Sequence, residues 1–213
     1  MHFHVVTLFP EAFDSYLRAS IIGRAVTDGK IQVSFYNPRD YTKNKHGRVD
    51  QKPYGGGPGM VLEAESVLRA AKKAIGRKKD VEVIFFDTSG KEFTNIQART
   101  LAKRKKHVVF ICGHYEGVDA RVQKVLKAKK VSIGNYTLTG GELPALVVID
   151  AVSRQIPGVL GKYESLEEDR TASPEVYTRP EILEWEGKKY RVPKVLLSGN
   201  HAKIEEWKAK RKD

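Results

Sequence analysis

Cys112-Gly-His-Tyr-Glu-Gly-Val-Asp-Ala-Arg121 gathers an imidazole, two carboxylates and a guanidinium into ten residues, just after an apolar run. Where a strand passes into a helix such side chains sit on a loop, the usual place for binding and catalytic groups. Asp119 also reads as the cap of the following helix. Glu116, between a tyrosine and a glycine, is placed to face a cationic ligand or a hydrated metal ion. Asp150 and Arg154 lie four residues apart on an apolar helix. Either they pair with each other, or the guanidinium is left for a substrate oxygen, where its fixed charge would stabilise negative charge developing on a base or phosphate. Glu164, Glu167, Glu168 and Asp169 fall in a stretch without apolar periodicity, which reads as solvated linker or as the carrier of a mobile general base.

Glycine collects where apolar runs end: Tyr54-Gly-Gly-Gly-Pro-Gly59, Gly113 and Gly117, Gly134, and Gly140-Gly141. In α/β sheets ligands bind at strand ends. Glycine allows close backbone approach, so several such loops converging could hold a planar base through main-chain amides and carbonyls. Neither G-x-G-x-x-G nor G-x-x-x-x-G-K-[ST] occurs, which argues against dinucleotide and ATP-loop readings. The single cysteine, Cys112, excludes an intrachain disulfide framework and any zinc site needing two thiolates; it reads as a small buried hydrophobe.

These groups need a scaffold. Val5-Val-Thr-Leu-Phe9 predicts a strand, and the spacing of Phe13, Leu17 and Ile21 a helix over 11–24. Further strands are predicted over 31–36, 81–86, 107–112 and 130–133, and helices over 61–75, 95–105, 119–128 and 143–156. The βαβ rhythm implies an α/β domain with a parallel sheet across residues 1–160. Residues 161–176 read as a flexible linker whose order depends on a ligand. Residues 177–213 are too few to fold alone and predict a small helical segment that docks on the main domain or on another subunit.

The 213 residues carry a net charge of +12, which makes a polyanion such as nucleic acid the leading class of partner. Lysine clusters at 72–79, 103–106, 124–130 and 188–194, with Tyr177, Trp185, Tyr190 and Trp207 nearby, supply cations for phosphates and rings for unpaired bases. No apolar run approaches the roughly 20 residues of a membrane helix. The N-terminus lacks a cationic region followed by a cleavage site, so a cytoplasmic location is expected.

Six segments together resemble the bacterial tRNA (guanine-N1)-methyltransferases: Asp50 to Met60, Cys112 to Val122, Ser132-Ile-Gly-Asn-Tyr-Thr-Leu-Thr-Gly-Gly-Glu-Leu143, Ile149-Asp-Ala-Val-Ser-Arg154, Tyr177-Thr-Arg-Pro180 and Val195-Leu-Leu-Ser-Gly-Asn-His201. The resemblance implies a SPOUT-class α/β domain with a deep trefoil knot, a homodimer, and S-adenosylmethionine as methyl donor. The donor would be held by Gly113, Ile133, Gly134, Asn135, Tyr136, Thr137 and Leu138, with Thr88, Gly140 and Gly141 adjoining. It also implies methylation of N1 of the guanosine at position 37 of tRNA, after another guanosine, which limits frameshifting. The partner is then tRNA, not DNA or a membrane.

By position in these motifs Asp169 resembles the general base and Arg154 the group that stabilises charge on O6. Glu116 lies near the methyl donor, His46 and Asp50 contact the target nucleotides, and Mg²⁺ is a further implied requirement. The sequence departs from the family pattern in three places. Arg170-Thr-Ala-Ser-Pro174 follows Asp169 in a shortened linker, which leaves Glu167 and Glu168 as competing bases. Asn135 stands where aspartate is usual, and His114 where arginine is frequent. The C-terminal RNA-binding part also reads as abbreviated.

Overall fold

Apolar β-branched and aromatic residues fill most positions of the central strands, because the sheet is covered on both faces. The computed structural model describes residues 1–160 and 175–209. The chain divides into two compact units, Met1–Gly161 and Lys162–Asp213.

The first unit begins with β1 (His2–Val6), the short 3₁₀ turn Pro10–Phe13, α1 (Asp14–Leu17) and α2 (Ser20–Thr27). Then come β2 (Gln32–Tyr36), a second 3₁₀ turn at Pro38–Tyr41, β3 (Asp50–Gln51), β4 (Val61–Leu62) and α3 (Ala64–Ile75). It closes with β5 (Val81–Glu92), α4 (Asn95–Arg104), β6 (His107–Ile111), α5 (Ala120–Leu126), β7 (Lys129–Ser132) and α6 (Glu142–Ser153). The five-stranded sheet has the order β2-β1-β6-β5-β7 and is parallel throughout.

Side chains alternate across it. Phe3, Val5, Val108 and Phe110 face a core shared with Ala98 and Leu101 of α4 and with Ala145, Ile149 and Val152 of α6. Val6, Val109 and Ile111 face the other layer, with Val67, Ala70 and Ala74 of α3 and Val122 of α5. Burying apolar area on both faces at about 25 cal/mol per Å² is the main force holding the strands in place.

The structure differs from the pattern-based expectation in several places. The helix expected over 11–24 is interrupted: Ser20 takes φ 49°, and Gly23 packs so closely that a Cβ would lie 2.5 Å from the Arg18 carbonyl oxygen. Val61 and Leu62 open no helix; they form β4, antiparallel to β3. The reason is tertiary, since Leu62 is fully buried and its amide donates to the Gly117 carbonyl at 2.9 Å. Strand β5 runs on to Glu92 past an irregularity between Phe86 and Lys91.

Where β1 and β6 begin, three imidazoles share the face toward α3. The His2 and His4 rings stack with centroids 3.9 Å apart, and His4 Nε2 lies 3.2 Å from His107 Nδ1. Burial, then the charges of His2, Lys78 and His107, lowers the His4 pKa to about 3.

The second unit was expected to be helical, and its described part is only partly so. Helices α7 (Lys194–Leu197) and α8 (His201–Ala209) follow an antiparallel hairpin of β8 (Ile182–Trp185) and β9 (Lys188–Arg191). Glu186 at φ 50° and Gly187 at φ 73° form its two-residue turn. Two consecutive left-handed residues match the twist of paired strands, and glycine in the second position makes that inexpensive. No helix among the described residues is long and apolar enough to cross a membrane.

Candidate active site

The glycine-bearing loops do converge. Segments following β6 and β7, with part of β5, line one cleft that includes Thr88, Gly113, Glu116, Ile133, Gly134, Tyr136, Thr137, Leu138, Gly140 and Gly141. Phe86, Val131 and Pro144 supply apolar wall and Asp87 a further carboxylate. Of the predicted donor-holding residues only Asn135 is outside this lining.

Two backbone approaches shape the cleft. The Gly141 amide donates to the Gly113 carbonyl at 2.9 Å, and a Cβ on Gly141 would lie 2.6 Å from Cys112 Cα and 3.0 Å from the Gly113 nitrogen. The loop after β7 can therefore lie against the loop after β6 only if residue 141 has no side chain. The second loop is tied by its own hydroxyl, as Ser132 Oγ donates to the Gly134 carbonyl at 2.9 Å. Tyr136 donates to the Ile133 carbonyl at 3.0 Å, and its ring lies over Gly134, where a Cβ would collide with it.

On the opposite rim, the Glu116 amide donates to the Met60 carbonyl at 3.0 Å and the Asp119 amide to the Leu62 carbonyl at 3.0 Å. The β3–β4 hairpin is thus held beside the cleft, and Gly59 packs on the Glu116 side chain so that a Cβ would strike it. Glu116 is exposed, and among the described residues its carboxylate makes no hydrogen bond. Gly55, Gly56, Gly57 and Gly59 at the hairpin tip all have positive φ, from 76° to 115°, and Tyr54 beside them is fully exposed. Asp50 is half-buried in β3 at the base of this hairpin, and His46 is exposed on the preceding loop.

Other charged candidates are engaged. Asp119 caps α5, accepting from the Arg121 amide at 2.9 Å, and takes the Arg121 guanidinium at 2.9 and 2.6 Å. Arg121 first, then the backbone, holds the Asp119 carboxyl below its usual range against burial. Asp150 accepts from the Tyr16 hydroxyl at 2.5 Å, which raises the Tyr16 pKa to about 12. Arg154 is the C-cap of α6. At about 1.5 Å per residue, the 12 residues of α6 carry it roughly 18 Å from Glu142, away from the cleft of its own chain. Asp169, Glu164, Glu167 and Glu168 lie outside the described residues.

Two site features, Glu142 and Asp87, escaped pattern reading, and the structure adds the surroundings of His114 and Cys112, which the sequence already singled out. Glu142 is buried at the N-terminus of α6, where it accepts from the Thr7 hydroxyl at 2.7 Å; an acid directly after Gly-Gly and before an apolar helix is the available signal. The buried His114 Nδ1 lies 3.9 Å from Glu142 Oε2 and has no hydrogen-bond partner among the described residues. Asp87 pairs with Lys130 at 2.8 Å and accepts from Ser89, which lowers its pKa to about 2. Cys112, buried beneath the cleft, has its thiol pKa pushed up by burial and by Glu142.

A parallel α/β sheet with a cleft at the strand ends, walled by main chain and edged by carboxylates, is the arrangement of an α/β enzyme with a small-molecule site. A family model described as tRNA (Guanine-1)-methyltransferase TrmD matches residues 1–213. Proteins named tRNA (guanine-N(1)-)-methyltransferase are similar to it. One from Clostridioides difficile is 46% identical, covering 98% of this chain and 90% of its own. One from Staphylococcus epidermidis is 46% identical, covering 100% and 86%, and one from Buchnera aphidicola is 44% identical, covering 98% and 88%. The chain belongs to the tRNA (guanine-1)-methyltransferase family.

Proposed function

We propose that this protein transfers a methyl group from S-adenosylmethionine to N1 of guanosine 37 in tRNA, where another guanosine precedes it, and so helps to keep the reading frame. Family membership supports the reaction. The observation that carries the donor site is the convergence of three loops, from positions far apart in the chain, on one cleft. The cleft suits this donor: main-chain groups can read a planar base, Phe86, Val131 and Pro144 cover its faces, and Glu116 opposes a positive charge. Bound there, the donor supplies an electrophilic methyl group.

N1 of guanine carries a proton at neutral pH, so methylation needs a base for it and a cation for charge moving onto O6. Asp169 fills the first role and Arg154 the second. The roughly 18 Å that α6 places between Arg154 and its own cleft supports a homodimer in which each site takes Arg154 from the other copy. Leu143 and Val147, exposed on the otherwise apolar α6, supply surface for that pairing. His46 and Asp50 position the target nucleotides, and the exposed Tyr54 offers a ring to a splayed base. Mg²⁺ would meet the Glu116 carboxylate and the Lys130-paired Asp87, a sparse set that suits an ion keeping most of its water.

The sheet belongs to the SPOUT class with a trefoil knot. This rests on the motif resemblance and on membership of the tRNA (guanine-1)-methyltransferase family.

Single-turnover transfer of labelled methyl to transcripts carrying G36-G37 or G36-A37 tests the proposal. Label on N1 of G37 alone is expected. Asp169→Ala should lower the rate by about 10²–10⁴-fold with donor affinity retained. Equal labelling of the A37 transcript, or an unimpaired Asp169→Ala variant, would refute it.

A further inference from the structure

The donor cleft lies where the strands end, and the three imidazoles lie where β1 and β6 begin. None of them has a part in methyl transfer. Parallel register sets His2 opposite His107, and the alternation of β1 puts His2 and His4 on one face. One ring nitrogen of each lies within 4.8 Å of the other two. A tetrahedral zinc ion with Zn–N of about 2.0–2.1 Å holds two nitrogens about 3.3–3.4 Å apart. His4 Nε2 and His107 Nδ1, at 3.2 Å, already have that spacing. The His2 ring stacks on His4 and must turn out of that stack to complete the set.

The surroundings orient these rings as ligands. His4 Nδ1 lies 3.1 Å from the Tyr36 hydroxyl; with the proton on Nδ1, the Nε2 lone pair faces the cluster. His2 Nε2 lies 2.8 Å from Ser34 Oγ, which leaves Nδ1 for an ion. Partners of this kind fix the tautomer and direction of a metal-bound imidazole. His4 is fully buried, whereas His2 and His107 are half-buried, so solvent and an ion reach the cluster from the His2 and His107 side.

We propose that His2, His4 and His107 form a binding site for one borderline-soft divalent cation, Zn²⁺ fitting best, which ties β1 to β6 at the edge remote from the cleft. Three imidazoles without a carboxylate select Zn²⁺, Ni²⁺ or Cu²⁺ over Mg²⁺ or Ca²⁺. Lys78, Lys106 and the N-terminal ammonium are the charges that act on the cluster. All are positive, so affinity falls below that of thiolate sites.

The test uses the full chain without a histidine tag, stripped with chelator at neutral pH. Equilibrium dialysis should then retain one Zn²⁺ per chain and raise the melting temperature, and Co²⁺ should give the intense visible bands of a tetrahedral site. His2→Gln and His107→Gln should each abolish the one-equivalent binding while melting near the parent in chelator. Tyr36→Phe should weaken it about tenfold or more. If the stripped parent retains no stoichiometric Zn²⁺, the inference is overturned. It fails equally if His107→Gln binds as the parent does, since the ion would then sit at His46, His114 or His201.

Discussion

Gly141→Ala tests whether the cleft depends on direct backbone contact. Gly141 has φ −85° and ψ −2°, a conformation alanine adopts freely. Replacing glycine at such a position ordinarily stabilises a protein by about 0.4–1 kcal/mol through the unfolded chain. Here the added methyl would lie 2.6 Å from Cys112 Cα, so two backbone segments must separate by about 0.8 Å to restore ordinary contact. Forced repacking of this kind costs about 1–3 kcal/mol. Opening the 2.9 Å bond from the Gly141 amide to the Gly113 carbonyl adds about 1 kcal/mol. The sum, about 3 kcal/mol, corresponds to a melting temperature lower by roughly 6–12 °C for a chain of this size. Donor affinity should fall with it, because the same two loops hold the ligand. Differential scanning fluorimetry and calorimetric donor titration measure both, with Gly57→Ala as a control. Gly57 has φ 115° and no atom within 4 Å of a built Cβ, so that variant carries backbone strain alone. An unchanged or raised melting temperature for Gly141→Ala would refute the close-contact account.

Two further outcomes follow from other parts of the structure. Cys112 is 4% exposed and its thiol pKa is raised, so a thiol reagent should leave native protein unmodified at neutral pH and react fully after denaturation; rapid native labelling would contradict the packing. Asp87 titrates at about 2, against an ordinary 3.8, chiefly because it is bonded to Lys130. A depressed carboxylate pKa stabilises the fold above pH 4, and that contribution is lost as pH falls from about 4 to about 2. Allowing for solvent screening it amounts to about 1 kcal/mol. Urea titrations of parent and Lys130→Met should therefore differ at pH 6 and converge near pH 2; equal stability at both would show that the pair contributes nothing.

Much of this was legible in the sequence, for identifiable reasons. The central strands are buried on both faces, so 83–86 and 108–112 stand out as apolar runs. The loops that carry the site are marked by glycines, because approaches such as Gly141 on Cys112 admit no side chain. What escaped notice depends on partners distant in sequence. Leu62 is a strand residue because it pairs with Asp50 and because Gly117 and Asp119 receive and supply its hydrogen bonds. Glu142 is tolerable when buried because Thr7, 135 residues away, donates to it. The imidazole cluster needs the register of β1 against β6, and the β8–β9 hairpin is signalled by little more than Glu186-Gly187.

The order β2-β1-β6-β5-β7 also has a consequence during synthesis. Strand β1 finds one neighbour early, as His2 pairs with Gln32, but its other edge waits for His107. At about 5–20 residues per second, the interval between completion of β2 and arrival of β6 is roughly 4–14 seconds, during which a five-residue strand carrying Phe3, Val5 and Val6 has one open edge. Neither a faster local step nor a stronger β1–β2 pair shortens that wait. The ribosome's pace sets it, and the nascent chain must remain soluble until the middle of the sheet has been translated.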